Sequence, residues 1–537
     1  MFHEGKKEKG HDRKRVSMGI SRRGMLKSMG VLGVGLAATG AMTTLGCSSS
    51  DGSGEGLTFA DTVAWDGEYD VVVIGFGAAG ATAATYAARD GAKVLIVEKE
   101  AQGGGDSAIS DQLINIALDY DEAYKYNSVD LAGALLDEEL LQMICQGQVD
   151  LKSTLVELGG DESQFVVFSE GASMTEHEGS STFQMITMHE GKSDGFAYQT
   201  LQNTVKSMPD QIDVWLATPA KKLLQDPISK TIVGVLVERD KKDVLIRAKN
   251  GVVLAAGGYA FNEQMVADFN EMQLDKVRFN CSPNNTGEVI KMAMEIGADL
   301  WHMSHLNGNI FCAPVAEGTM AGFGILLEAM KGGSIELFGQ GGDRIYNITT
   351  GARYGKYLIN GKWQIPHWTD YNYLVFDQKK FEEISTAENN PFELYPEELA
   401  SKIEMDPTGL TQGLDEFHRI AAGEVDTRCD RPAETMAAFD DGPFYAFRIM
   451  PCYQYTFGGP RRNAKAEVIG IDGSPIPHLY GAGVCGSSTL GGWPGAIIFG
   501  KAAGKNAAAE KEALPAYEVA KVESNITYTP GTENDLA

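Results

Sequence analysis

Gly75-Phe76-Gly77-Ala78-Ala79-Gly80 puts three glycines where a chain must turn sharply and then come close to a bulky anion. In such a turn Gly75 permits the tight bend, Gly77 lets the backbone approach a pyrophosphate, and Gly80 lets a helix pack closely on a strand. The phosphates would meet the positive end of that helix, beside Ala78 and Ala79. Glu98, 18 residues after Gly80, is placed to accept hydrogen bonds from a ribose 2′-hydroxyl.

These residues need particular elements around them. Val71–Ile74 is short, apolar, β-branched and followed by glycine, the pattern of a buried parallel strand. An alanine-rich helix to about Asp90 and a second strand, Lys93–Val97, complete a βαβ cradle that delivers Glu98 and Lys99. Strand, turn, helix and terminal acid together specify a dinucleotide, where the six-residue motif alone would be weak evidence.

Later segments favour FAD over a nicotinamide. Gly103-Gly104-Gly105-Asp106-Ser107 forms a loop able to pass beside the flavin end of a long cofactor. The region 233–262 reads as strand, turn and strand, then a buried strand, 251–255, that ends at Ala256-Gly257-Gly258; Ala220 precedes it as a further contact. Near the C-terminus, Gly483 and then Gly495-Ala496-Ile497 complete the set. A cofactor gripped by segments this far apart has the chain wrapped around it.

The whole chain has 537 residues, 22% of them charged and 43% hydrophobic, which suits a globular protein of several domains. The formal charge is −27, and residues 1–47 hold nine Lys/Arg against three Asp/Glu, so the remainder carries −33. So acidic a body is a poor partner for nucleic acid or anionic lipid. Seven cysteines include no C-x-x-C pair, which leaves no haem attachment, zinc ribbon or iron–sulfur run. His302 and His305 could ligate a metal by spacing, but no third ligand stands near them, so no metal is expected.

Arg22-Arg23 precedes a short, glycine-rich apolar stretch and resembles a twin-arginine export signal. Cys47, after Gly46, resembles a lipoprotein cleavage and lipidation site. These features place the protein on the extracytoplasmic face of the cell membrane, with Cys47 as the candidate lipid anchor.

Residues 75–107, 233–262, 285–298 and 479–508 together resemble the fumarate reductase/3-ketosteroid dehydrogenase flavoproteins. The resemblance implies an α/β fold: a Rossmann-like FAD-binding domain built from both ends of the chain, with an inserted α+β capping domain. The expected divisions are a signal peptide at 1–47, a linker at 48–67, the first part of the FAD domain at 68–299, the cap at 300–434, the second part of the FAD domain at 435–516 and a tail at 517–537. It also implies an FAD-dependent oxidoreductase acting on a CH–CH bond, in which the protein handles one proton opposite the flavin.

Substrate-binding positions depart from the dicarboxylate pattern. The histidine of the family's "HTMGG" falls on Tyr455, an expected arginine falls on Thr489, and Asn309 lies near the place of another histidine. Arg353 is the arginine nearest the family's catalytic one, while Tyr354 and Tyr346 compete for the role that a tyrosine holds in the ketosteroid dehydrogenases. Tyr259, Tyr354, Tyr455, Phe457 and Trp493 suggest a neutral, aromatic pocket, with Trp493 as a wall. The expected activity is reduction of an activated C=C bond in an enone or acrylate-like molecule, not fumarate. The alternatives are a ketosteroid desaturase and a flavin electron carrier. With no haem motif and no second dinucleotide fingerprint, electrons are expected from a separate donor, a haem protein of the membrane.

Overall fold

The structure, a computed structural model, describes residues 57–510 and 514, apart from 173, 176, 190–193, 309, 317–318, 323–331, 350–353, 367, 386–404, 441 and 487–489. The export signal, Cys47, Arg353, Thr489 and Asn309 lie outside the described residues.

The cofactor domain starts with β1 (Gly67–Ile74), α1 (Ala78–Arg89) and β2 (Val94–Val97). Val71 and Val73 face one buried cluster and Val72 and Ile74 another, so both faces of β1 are covered. That is why the strand reads as an unbroken apolar run and not as an alternation. β1 pairs in parallel with β2, at Val71↔Val94, and with the end of a later strand, at Val71↔Gly251.

After β2 the chain leaves the main sheet. It makes β3 (Ile114–Ala117), α2 (Tyr120–Asp130), α3 (Glu138–Glu157), β4 (Phe165–Glu170) and β5 (Phe183–Met188), and the three strands form their own sheet in the order β3-β5-β4. Asp119 and Asp137 cap α2 and α3, accepting from the amides of Glu122 and Leu140. β6 (Ile212–Trp215) then returns to the main sheet beside β2. β7 (Ala220–Gln225), β8 (Ile232–Arg239) and β9 (Lys242–Leu254) follow. The first half of β9 pairs antiparallel with β8, and its second half runs parallel to β1.

The C-terminal strand Pro475–Gly481 pairs in parallel with β9, at Leu479↔Val252, and α4 (Gly492–Ala509) packs on α1. The helices touch through small residues: a Cβ at Gly504 would lie 2.2 Å from Ala83 O. The main sheet is thus built from both ends of the chain.

Between them lies a sheet of Ile310–Ala316, Thr319–Gly322, Ile335–Gly339, Asn372–Asp377 and Phe444–Tyr453, antiparallel except where the short strand Arg278–Phe279 joins Phe444–Tyr453 in parallel. Phe444–Tyr453 pairs with both Ile310–Ala316 and Asn372–Asp377, so this sheet extends past residue 434. Its base holds a buried ion cluster. Arg344 Nε meets Glu336 at 2.7 Å, Arg344 Nη2 meets Asp426 at 2.7 Å, and Arg431 reaches the same Glu336 carboxylate at 3.3 Å. Among the described residues no helix is long and apolar enough to cross a membrane.

Candidate active site

A cavity of about 1350 Å³ runs from the glycine-rich turn to the cap residues. Gly75 has a φ of +105°, and a Cβ there would lie 2.5 Å from Ala255 O. At Gly77, the N-cap of α1, a Cβ would meet nothing nearer than 3.5 Å, so its bareness serves what approaches from the cavity and not internal packing. Ser107 Oγ accepts from Ala78 N at 3.0 Å and so ties the second glycine loop to the helix start.

The Glu98 carboxylate accepts from Phe76 N at 2.8 Å and Glu100 N at 2.9 Å while lining the cavity. It therefore braces the turn from the position expected for a ribose contact. Lys99 donates to Thr286 Oγ1 at 2.8 Å and pairs with Glu288 at 2.9 Å. Asp106 accepts from Ser282 N at 2.7 Å and Asn285 Nδ2 at 2.8 Å, and burial raises its pKa. These bonds pin the Gly104–Ser107 loop to Ser282 and Asn285, and Asn285 also lies against Gly257.

Ala79, Gly105, Ala220, Gly483 and Ala496 also line the cavity. Gly80, Gly258, Gly495 and Ile497 are not among its walls. A Cβ on Gly80 would lie 2.0 Å from Gly75 O, one on Gly258 2.3 Å from Thr456 Oγ1, and one on Gly495 2.1 Å from Leu490 O, while Ile497 is fully buried. These four shape the wall from behind.

At the other end Tyr354, Tyr455, Phe457 and Trp493 share the cavity wall. Trp493 Nε1 donates to Ser110 Oγ at 3.0 Å, which fixes it as a wall. Tyr346 is elsewhere: 1% exposed, it packs against Tyr357 at 4.0 Å and Trp368 at 6.0 Å in the cap core. Tyr259 is also off the wall, fully buried with its hydroxyl donating to Met303 O.

Tyr354 stacks on His305 with centroids 4.9 Å apart, and its hydroxyl donates to Asp130 O at 3.3 Å. His305 in turn stacks on His302 at 4.9 Å, so the two histidines form a column behind Tyr354 and do not converge on a metal. Burial, then His302 and Lys356, holds the His305 pKa down to about 3. Tyr455 lies opposite Asn307 in a two-stranded ladder, and Asn307 donates to Gln454 Oε1 at 2.6 Å. Burial, reinforced by Asp106, pushes the Tyr455 phenol above its usual range.

Asn307 and Gln454 were not among the sequence-derived candidates; Asn307 lines the wall two residues ahead of the expected Asn309. Among the described residues the lining contains one cation, Lys99, and no arginine or histidine. Its acids are Glu98, Glu100, Asp106, Asp111, Asp130, Glu170 and Glu288.

Residues 70–495 match the FAD binding domain family. The chain belongs to that family. The residues fit the cofactor: a bare glycine at a helix start, a bracing acid and a second glycine loop held in place by Ser107 and Asp106. This member of the FAD binding domain family is an FAD-dependent oxidoreductase.

Digoxin reductase of Eggerthella lenta is 25% identical over 92% of this chain and 98% of its own length. Urocanate reductase of the same organism is 25% identical over 82% of this chain and 75% of its own. NADH:fumarate oxidoreductase of Klebsiella pneumoniae is 28% identical over 82% of this chain, which spans only 48% of that relative. Among solved structures, 3-ketosteroid-Δ4-(5α)-dehydrogenase of Rhodococcus jostii aligns with a TM-score of 0.64 at 22% identity, covering 85% of this chain and 100% of that one. That likeness establishes the fold.

Proposed function

We propose that this flavoprotein reduces an activated C=C bond in a neutral, carbonyl-conjugated substrate. The observation that carries the reading is the lack of cations: among the described walls there is no arginine or histidine, and the one lysine, Lys99, is ion-paired to Glu288 at the cofactor end. A dicarboxylate taken out of water needs cations to face it, and these walls supply acids. A neutral enone needs only a hydrogen-bond donor for the oxygen where negative charge develops.

FAD supplies the hydride when bound. Tyr455, kept protonated by burial, and the Asn307 amide beside it are the donors for the substrate oxygen. Tyr354 is the candidate proton donor on this wall, with Arg353 as its competitor. Trp493 and Phe457 supply aromatic surface for a planar molecule. Relatives named as reductases of digoxin, urocanate and vinyl phenol support the reaction class.

The reading includes export by the Arg22-Arg23 signal, anchoring at Cys47, and electrons from a separate haem protein of the membrane. Reduced viologen should drive turnover where NADH does not. For the central claim, the bound flavin is reduced anaerobically and challenged with benzylideneacetone or fumarate. Reoxidation by the enone and not by fumarate is expected; faster reoxidation by fumarate would refute the reading.

A further inference from the structure

Asn127 sits in the last turn of α2, one turn before the Asp130 carbonyl that Tyr354 reaches, and Gln148 lies in α3. Both line the cavity, and both are more than nine-tenths buried, at 3% and 4% exposure. Asn127 Nδ2 donates to Gln148 Oε1 at 2.7 Å and to Cys145 Sγ at 3.4 Å, which uses both of its amide hydrogens. Asn127 Oδ1 and Gln148 Nε2 then have no protein partner among the described residues. These two atoms are open to the cavity, where a ligand group can complete them.

We propose that Asn127 and Gln148 form a specificity subsite for a hydroxyl group on the substrate. The inference rests on the reading of this cavity as the substrate site of a C=C reductase. The pair offers one acceptor and one donor side by side, and a hydroxyl matches both, donating to Asn127 Oδ1 while accepting from Gln148 Nε2. A carboxylate only accepts, so it would oppose the Asn127 oxygen and share a wall with Asp130 and Glu170. An ammonium only donates and would oppose the Gln148 nitrogen. Phe183 and Met185, on the same wall, supply the apolar surface that the ring bearing the hydroxyl needs.

The test uses the oxidised, FAD-loaded enzyme and two saturated ketones, benzylacetone and its para-hydroxy analogue, titrated against the flavin absorption spectrum. The hydroxylated compound should bind about tenfold more tightly, the worth of one well-made buried hydrogen bond. Gln148→Leu should erase that difference while flavin content and benzylacetone affinity stay unchanged. Gln148→Glu, of nearly the same shape, replaces the donor by an acceptor to which the hydroxyl can donate, so the preference should persist there. Equal affinities in the unmodified protein, a preference that survives Gln148→Leu, or no binding of either ketone would overturn the proposal. Turnover is read apart from binding: failure of benzylideneacetone to reoxidise the flavin defeats the reductase reading, while the preference between the two saturated ketones still decides the subsite.

Discussion

Asn307 and Tyr455 face each other across a two-residue antiparallel ladder, and both reach the cavity wall. A carboxamide and a phenol thus stand together where the family resemblance leads one to look for cationic side chains. The pair can hydrogen-bond a developing oxyanion without presenting a permanent positive charge.

Tyr455→Phe should therefore lower kcat by about 10²-fold, with flavin content unchanged. Because burial and Asp106 raise the phenol's pKa, its protonated form persists above pH 10.0, the ordinary tyrosine value. Turnover of the unmodified enzyme should show no loss assignable to Tyr455 below that pH. A pH–rate profile compared with that of Tyr455→Phe checks both points.

The glycines of the phosphate-binding turn should respond differently to alanine. Gly80→Ala puts a Cβ against Gly75 O and should cost about 1–3 kcal/mol of stability as well as the flavin. Gly77→Ala meets no close protein atom, so it should leave the melting temperature nearly unchanged while weakening FAD binding. Thermal melts and the flavin-to-protein absorbance ratio separate the two cases.

His305 should contribute to acid sensitivity. Its pKa falls from an ordinary 6.5 to about 3 on folding, so the unfolded chain takes up the proton first. The stability linked to neutral His305 is present above pH 6.5 and is lost as pH falls from there toward 3. His305→Phe keeps the stack on Tyr354 and should flatten the melting temperature across that window. An unchanged slope would exclude His305 as a source.

Arg344→Met leaves Glu336 and Asp426 with less compensation in the buried cluster of the cap. Breaking such a cluster costs about 3–5 kcal/mol. The cap should become protease-sensitive before the cofactor domain, as limited digestion followed by mass mapping would show.

The cofactor half was legible because its signals are local: one apolar run, one glycine turn and one acid fix Val71–Ile74, α1 and Glu98 within a single βαβ unit. The substrate half was not, because its contacts join distant residues of unremarkable type. Asn307 and Gln454 are 147 residues apart, and Glu336 meets Arg431 across 95. Tyr346 and Tyr354 share one polar, aromatic stretch with no periodicity, so spacing could not separate the ring that enters the cap core from the one that reaches the cavity. Gly258 and Gly495 belong to glycine-rich motifs as plainly as Gly257 does, and only the backbone path shows that they face away.

Pro475–Gly481 lies far along the chain from β9, yet it pairs with β9, and Gly483 just beyond it lines the cavity. A nascent chain can assemble β1, α1 and β2 early but cannot close its cofactor trough until Gly483 has emerged. A chain ending at residue 474 should accordingly fail to retain FAD through gel filtration. Flavin retention then depends on a strand made long after the glycine turn, so chains that stop short of Pro475–Gly481 should be colourless even with β1, α1 and β2 intact.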